Sequence, residues 1–207
     1  MSSKALDLIK SRRSIKTYLP REAPKEVIYS ILEAGRWAPS AHNAQPWRFV
    51  VITEREVRRE LAEAMAGAWA EDMTANGVPP SIRKRLVEDS IERFADAPVL
   101  IVACVTMEAM DKYADERRQK TEHTMATQSL AAAVQNMLLA AHSAGLGSCW
   151  FCAPLFCQDA VRRVLKVPDN VEPQALITLG YPSETVEPPP RKPVGEVAFR
   201  NHWGERI

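Results

Sequence analysis

Apolar residues recur along this chain at two spacings, and the switches between them divide it into elements. From Ala5 to Ser11, Leu6 and Ile9 stand at helical spacing and predict a short helix. Pro24 suits a first helical position, and Val27, Ile28, Ile31 and Leu32 then line one face of a helix closed by Pro39. "WRFVVIT" reads as a strand. Glu54 to Asp72 returns to helical spacing, with Leu61, Met65, Ala68 and Trp69 on one side and charges on the other; after "NGVPPS", Ile82 to Phe94 repeats the pattern.

Two later segments depart from amphipathic patterning. "APVLIVACV" is an unbroken apolar run bounded by Pro98, as expected of a strand buried on both faces. From Arg117 to Ala144 there is neither Gly nor Pro, and "MATQSLAAAVQNMLLAAHSA" is apolar nearly all round. Such a helix belongs in the centre of the structure or in a subunit interface. "GLGS" ends it, "CWF" predicts a short strand, "LFCQDAVRRVLKV" a helix and "EPQALITLGYP" a last strand. The tail from about residue 183 to 207 is Pro-rich and polar, yet it carries Phe199 and Trp203, so it is expected to pack along a surface or a partner subunit. There is no internal repeat, and the alternation predicts a single α+β domain over 1–207 in which one sheet is packed by helices.

Composition narrows the function classes. With 27 basic and 26 acidic residues the net charge is +1, so no global field points to nucleic acid or an anionic membrane. No segment reaches the roughly 20 apolar residues of a spanning helix, and the N-terminus lacks a signal-peptide core, so a cytoplasmic address is expected. Cys149, Cys152 and Cys157 cluster in "SCWFCAPLFC", but no second Cys pair exists to complete a closed zinc site; no metal is expected there, and buried, reduced cysteines are.

Two segments could carry chemistry. "SRRSIKTYLP" brings Arg12, Arg13, Ser14 and Lys16 together directly after a helix, a set able to hold a phosphate through side chains, although the segment taken alone reads first as a solvated basic turn. Neither a dinucleotide-binding glycine fingerprint nor a P-loop is present. "APSAHNAQPW" offers Ser40, His42, Asn43 and Gln45 without one charged side chain at neutral pH, suited to hydrogen-bonding an uncharged heterocycle.

In combination, "RRSIKTYLP", "AGRWAPSAHNAQPWRFVVIT", "AAVQNMLLAAHSAGLGSCWF" and "LITLGYP" resemble the FMN-dependent nitroreductase family from about Leu6 to Arg191. "WAPSAHNAQPWRFVV", "TEHTMATQSLAAAVQ", "GLGSCW" and "VEPQALITLGYP" are most similar to the nitroreductase-like domain fused to the γ-glutamyl ligase of deazaflavin coenzyme biosynthesis, here without a ligase half. The resemblance implies a mostly antiparallel central sheet packed by helices and an intertwined homodimer with FMN at the interface. It assigns the phosphate and part of the ring to Arg12, Arg13, Ser14 and Lys16, with Arg191 from the tail and Lys192 as second choice. Pro39, Ser40, Ala41 and Asn43 would reach the flavin of the other subunit, Ala41 standing where a serine is common. Trp150, Cys152 and Ala153 match the segment beside the reactive ring nitrogen, the latter two replacing a frequent Glu-Gly pair. His42, Asp72 and Asn76, and the lip Tyr113 to Arg118, are substrate-side candidates.

The implied activity is a ping-pong NAD(P)H oxidoreductase in which the flavin does the chemistry, no side chain is catalytic, and the acceptors are nitroaromatics, quinones or similar conjugated small molecules. Alternatives are a reductase of a deazaflavin biosynthetic intermediate, an oxygen-using flavin-fragmenting enzyme, or a flavin-binding dimeric module without turnover. Nothing in the chain selects NADH over NADPH.

Overall fold

A computed structural model describes residues 4–207. Its helices are α1 (Lys4–Ser11), α2 (Lys25–Arg36), α3 (Arg55–Ala75), α4 (Pro80–Ala95), α5 (Glu116–Ser143), α6 (Gln158–Leu165) and α7 (Val194–Val197); its strands are β1 (Trp47–Ile52), β2 (Val99–Thr106), β3 (Gly147–Phe151) and β4 (Val171–Gly180). The strands form one antiparallel sheet in the order β1-β2-β4-β3.

The apolar run around Pro98 becomes β2, a central strand buried at every position. Its side chains alternate between two cores. Val99, Ile101, Ala103 and Val105 meet α2 and α5, whereas Leu100, Val102 and Cys104 meet residues of α3, α4 and α6. The sheet is thus the middle of three layers. The register between β2 and β4 shifts at Ala103/Cys104, beside Pro173, which has no N–H to give to a ladder. The helix that is apolar nearly all round, α5, lies in the chain's core along Ala126, Leu130, Ala133, Val134, Met137 and Ala141.

Several boundaries differ from those the pattern predicts. Pro24 is the residue that caps α2, and the helix starts at Lys25. Helix α3 continues to Ala75 and α4 begins at Pro80, whose missing N–H costs nothing in a first turn. Leu155 and Phe156 lie outside α6, in a 3₁₀ turn, Ala153–Phe156, that includes Pro154. The cysteine cluster is also divided: Cys149 is buried in β3, Cys157 is half-buried, and Cys152, just past the strand, is exposed.

Beyond α1 the chain runs alongside β3. Ile15 donates its N–H to the Ser148 carbonyl at 3.0 Å, and Leu19 donates to that of Tyr181 at 2.8 Å. The tail folds little on its own chain: Trp203 is 90% exposed and Val194 71%, although Phe199 and Trp203 stack with centroids 4.6 Å apart. Among the described residues no helix is long and apolar enough to cross a membrane.

Candidate active site

The N-terminal cations are positioned by backbone pairing. Ser14 bridges to Ser148, and the segment through Lys16 lies on the edge of β3. Burial pushes the Cys149 thiol upward, an effect opposed by the positive field of Lys16, the Ser14 hydroxyl, and the fields of Arg12 and Arg93. The sequence reading omitted Arg93, which α4 brings toward the same strand. No ion pair joins Arg12, Lys16, Arg93 or Arg191 to a carboxylate among the described residues.

Arg13 is occupied differently. Its guanidinium donates to the carbonyls of Val186 at 3.0 Å, Lys10 at 2.7 Å and Arg12 at 2.9 Å. It therefore ties the start of the chain to the start of the tail. Nearby, Ser11 and His142 share a hydrogen bond of 2.8 Å between α1 and α5.

Arg93 also lines a cleft of about 440 Å³ on the α3–α4 side of the sheet. Met65, Trp69, Phe94, Phe151 and Phe156 make it largely apolar and aromatic, while Asp72, Asn76, Ser90, Ala153 and Cys157 complete the lining. Asp72 and Asn76 are thus gathered with Ala153, far from them in sequence. Burial raises the Cys157 thiol to about 11, with the Asp72 carboxylate adding to the shift. Such a cleft suits a planar conjugated molecule, with few convergent polar groups to orient it. On β3, Trp150 points to the opposite core from Phe151, and its buried indole N–H has no partner among the described residues.

The segment from Pro39 to Asn43 lies apart from this cleft. It sits on the α5 side, where the Ala41 N–H donates to Ser129 Oγ at 3.1 Å and the Gln45 N–H to Ser40 Oγ at 3.1 Å. His42, Asn43 and Gln45 all adopt left-handed backbone, with φ of 55°, 51° and 47°. Asn tolerates that conformation; His and Gln hold it less readily, so the turn is shaped by its surroundings. Pro39 and Asn43 are exposed. Arg191 and Lys192 are exposed on the tail, and Tyr113 to Arg118 leads into α5, with Asp115 capping its first turn through the Arg118 N–H at 2.9 Å.

The sequence model described as the nitroreductase family matches residues 9–181. The chain belongs to the nitroreductase family. Over 182 residues it is 35% identical to a Methanothermobacter thermautotrophicus protein provisionally named NADH dehydrogenase/NAD(P)H nitroreductase, covering 86% of this chain and 78% of the relative. A protein of the same provisional name from Archaeoglobus fulgidus is 31% identical, with 86% of each chain covered. Among solved structures, a provisionally named nitroreductase from Desulfovibrio desulfuricans in complex with FMN superposes with a TM-score of 0.73 at 27% identity, covering 98% of this nitroreductase-family chain and 99% of that one.

Proposed function

We propose that this chain is an FMN-dependent NAD(P)H oxidoreductase that reduces nitroaromatic, quinone or similarly conjugated acceptors. The observation that carries the reading is the aromatic cleft joining Ala153 to Asp72, Asn76 and Arg93, lined by Phe151 of the same strand whose Cys149 feels the fields of Lys16, Arg12 and Arg93, cations that form no ion pair among the described residues. The family and the FMN complex of a 27% identical relative support it.

The residues present fit FMN. Arg12 and Lys16, with Arg191 from the tail, form a donor set suited to a phosphate dianion, and Ser14 adds a hydroxyl. Arg13 contributes by fixing the backbone around Arg12. The Cys152–Ala153 backbone, where β3 passes into the 3₁₀ turn lining the cleft, supplies donors toward the flavin ring. When bound, the flavin supplies two-electron chemistry, taking hydride from NADH or NADPH and giving it to an acceptor in ping-pong fashion. The chain's own part is to bind, to orient, and to keep water from one face. Trp69 and Phe156 supply stacking surface, and Asp72 and Asn76 supply polar contacts at the rim.

The exposed Pro39 and Asn43 and the half-buried Ser40 and Ala41 are then completed by a second subunit, and the tail from about residue 183 to 207 packs on that partner. Its exposed Val194, Val197 and Trp203 supply the apolar surface for doing so. Light scattering tests this: a dimer is expected, and a Trp203→Ala/Val197→Asp chain should shift toward monomer.

The functional test is spectroscopic. The purified protein should be yellow, and its flavin band should bleach on adding NADH or NADPH without air. No flavin after reconstitution would remove the enzyme reading. Bound flavin that neither nicotinamide reduces would favour the binding-module or deazaflavin alternatives.

A further inference from the structure

Helix α5, the turn before β1 and the loop after β2 bring together a histidine and two carboxylates that the flavin chemistry leaves unused. His42 Nε2 lies 3.4 Å from Glu122 Oε1 and 4.0 Å from Asp111 Oδ2. One ligand atom from each residue falls within 4.8 Å of the others. Ligands at adjacent coordination positions of a divalent ion, each about 2.1 Å from it, stand about 3.0–3.4 Å apart. The His42–Glu122 distance already meets that spacing, while the exposed Asp111, 4.0 Å from His42, would have to close by a few tenths of an ångström or more.

Glu122 supplies the independent sign of a ligand. Its side chain is only 6% exposed, it points to His42, and its second oxygen, Oε2, is buried without a hydrogen-bond partner among the described residues. A carboxylate withdrawn from water needs a compensating charge or its lone pairs filled. No Lys or Arg forms an ion pair with it among the described residues, and His42 engages only one oxygen. We infer that His42, Asp111 and Glu122 bind one divalent first-row cation, with Glu122 as the inner ligand. One imidazole and two carboxylates suit Mn²⁺, Fe²⁺ or Zn²⁺ rather than a thiophilic ion. Within the single chain His42 is 42% exposed and Asp111 59%, so the remaining coordination positions face outward, where water or a group of the second subunit would fill them. The cation would pin the turn before β1 and the loop entering α5 to the helix.

Mn²⁺ is the probe of choice, because a hard ion passes over the exposed Cys152 thiol. The full chain, stripped with chelator, is titrated with Mn²⁺ while the free ion is followed by its electron paramagnetic resonance signal. One Mn²⁺ per chain is expected, with a rise in thermal midpoint as the ion is added. Glu122→Gln, His42→Asn and Asp111→Asn should each weaken binding about tenfold or more and suppress that rise. Asn at 42 tolerates the left-handed backbone, and Asp111 is exposed, so these two variants remain informative if Glu122→Gln disturbs folding. No binding at millimolar Mn²⁺, or binding that survives all three substitutions, overturns the site; in the second case the ion sits elsewhere, such as on a flavin phosphate. An outcome in which only a proton links His42 to Glu122 would appear as the first of these.

Discussion

A β-carbon on Gly147 would lie 2.7 Å from the Cβ of Ile15, closer than such atoms approach. The absence of a side chain is therefore what lets β3 accept the N-terminal segment, with Ser14, Ile15 and Lys16, along its edge. Gly147→Ala must displace that segment. A loss of about 1–3 kcal/mol is expected, as for other overpacked contacts. Calorimetry should register the lower midpoint, and FMN affinity should fall with it as Lys16 and Ser14 move.

Arg12 and Arg13 are adjacent but should respond differently. Arg13 holds three carbonyls, one of them in the tail, so Arg13→Ala should lower the thermal midpoint of the flavin-free protein. Arg12, with no carboxylate partner, should leave that midpoint nearly unchanged when replaced by Ala while weakening FMN about tenfold or more, the scale of a hydrogen bond to a charged group. Fluorescence titration of FMN beside thermal melts of both variants separates the two roles.

His142 introduces a pH dependence. Burial and the fields of Arg12 and Arg13 hold its imidazole below the ordinary 6.5. A base with its folded pKa depressed carries fewer protons when folded, so stability rises with pH between the folded and unfolded values. The contribution is complete above the unfolded value and is lost as pH falls from there through the lower folded value. Thermal midpoints across about pH 5 to 8 should drop on the acid side, and His142→Gln should flatten that slope.

Thiol reactivity should separate the cysteines. Cys104, which burial raises to about 12, and Cys157, raised to about 11, should resist alkylation in the folded state at about pH 8, as should the buried Cys149. Cys152, exposed past the end of β3, should be modified first. Peptide mass spectrometry after brief iodoacetamide treatment reads the order directly; bound FMN should slow modification of Cys152 if that segment borders the ring.

The local pattern predicts most of the helices and all four strands, because periodicity is a property of neighbouring residues: the apolar run at Val99–Thr106 reads as a strand buried on both faces, and the coated helix ending at "GLGS" is expected in the centre or at a subunit interface and lies in the chain's core. The short α7 of the tail leaves no such signal. The ordered motifs also carried the family. Proline positions limited the boundaries, since a ring without an N–H fits equally at a cap, a first turn or a 3₁₀ turn. Only the tertiary structure decided which side chains meet. Strand register turns Trp150 and Phe151 to opposite cores, the docking of α4 brings Arg93 toward Cys149, and three separate segments converge on Glu122. Arg12 and Arg13 read alike as sequence, yet the Arg13 guanidinium is filled by carbonyls while Arg12 forms no ion pair among the described residues. Those outcomes depend on packing between residues far apart in the chain, which no local pattern encodes.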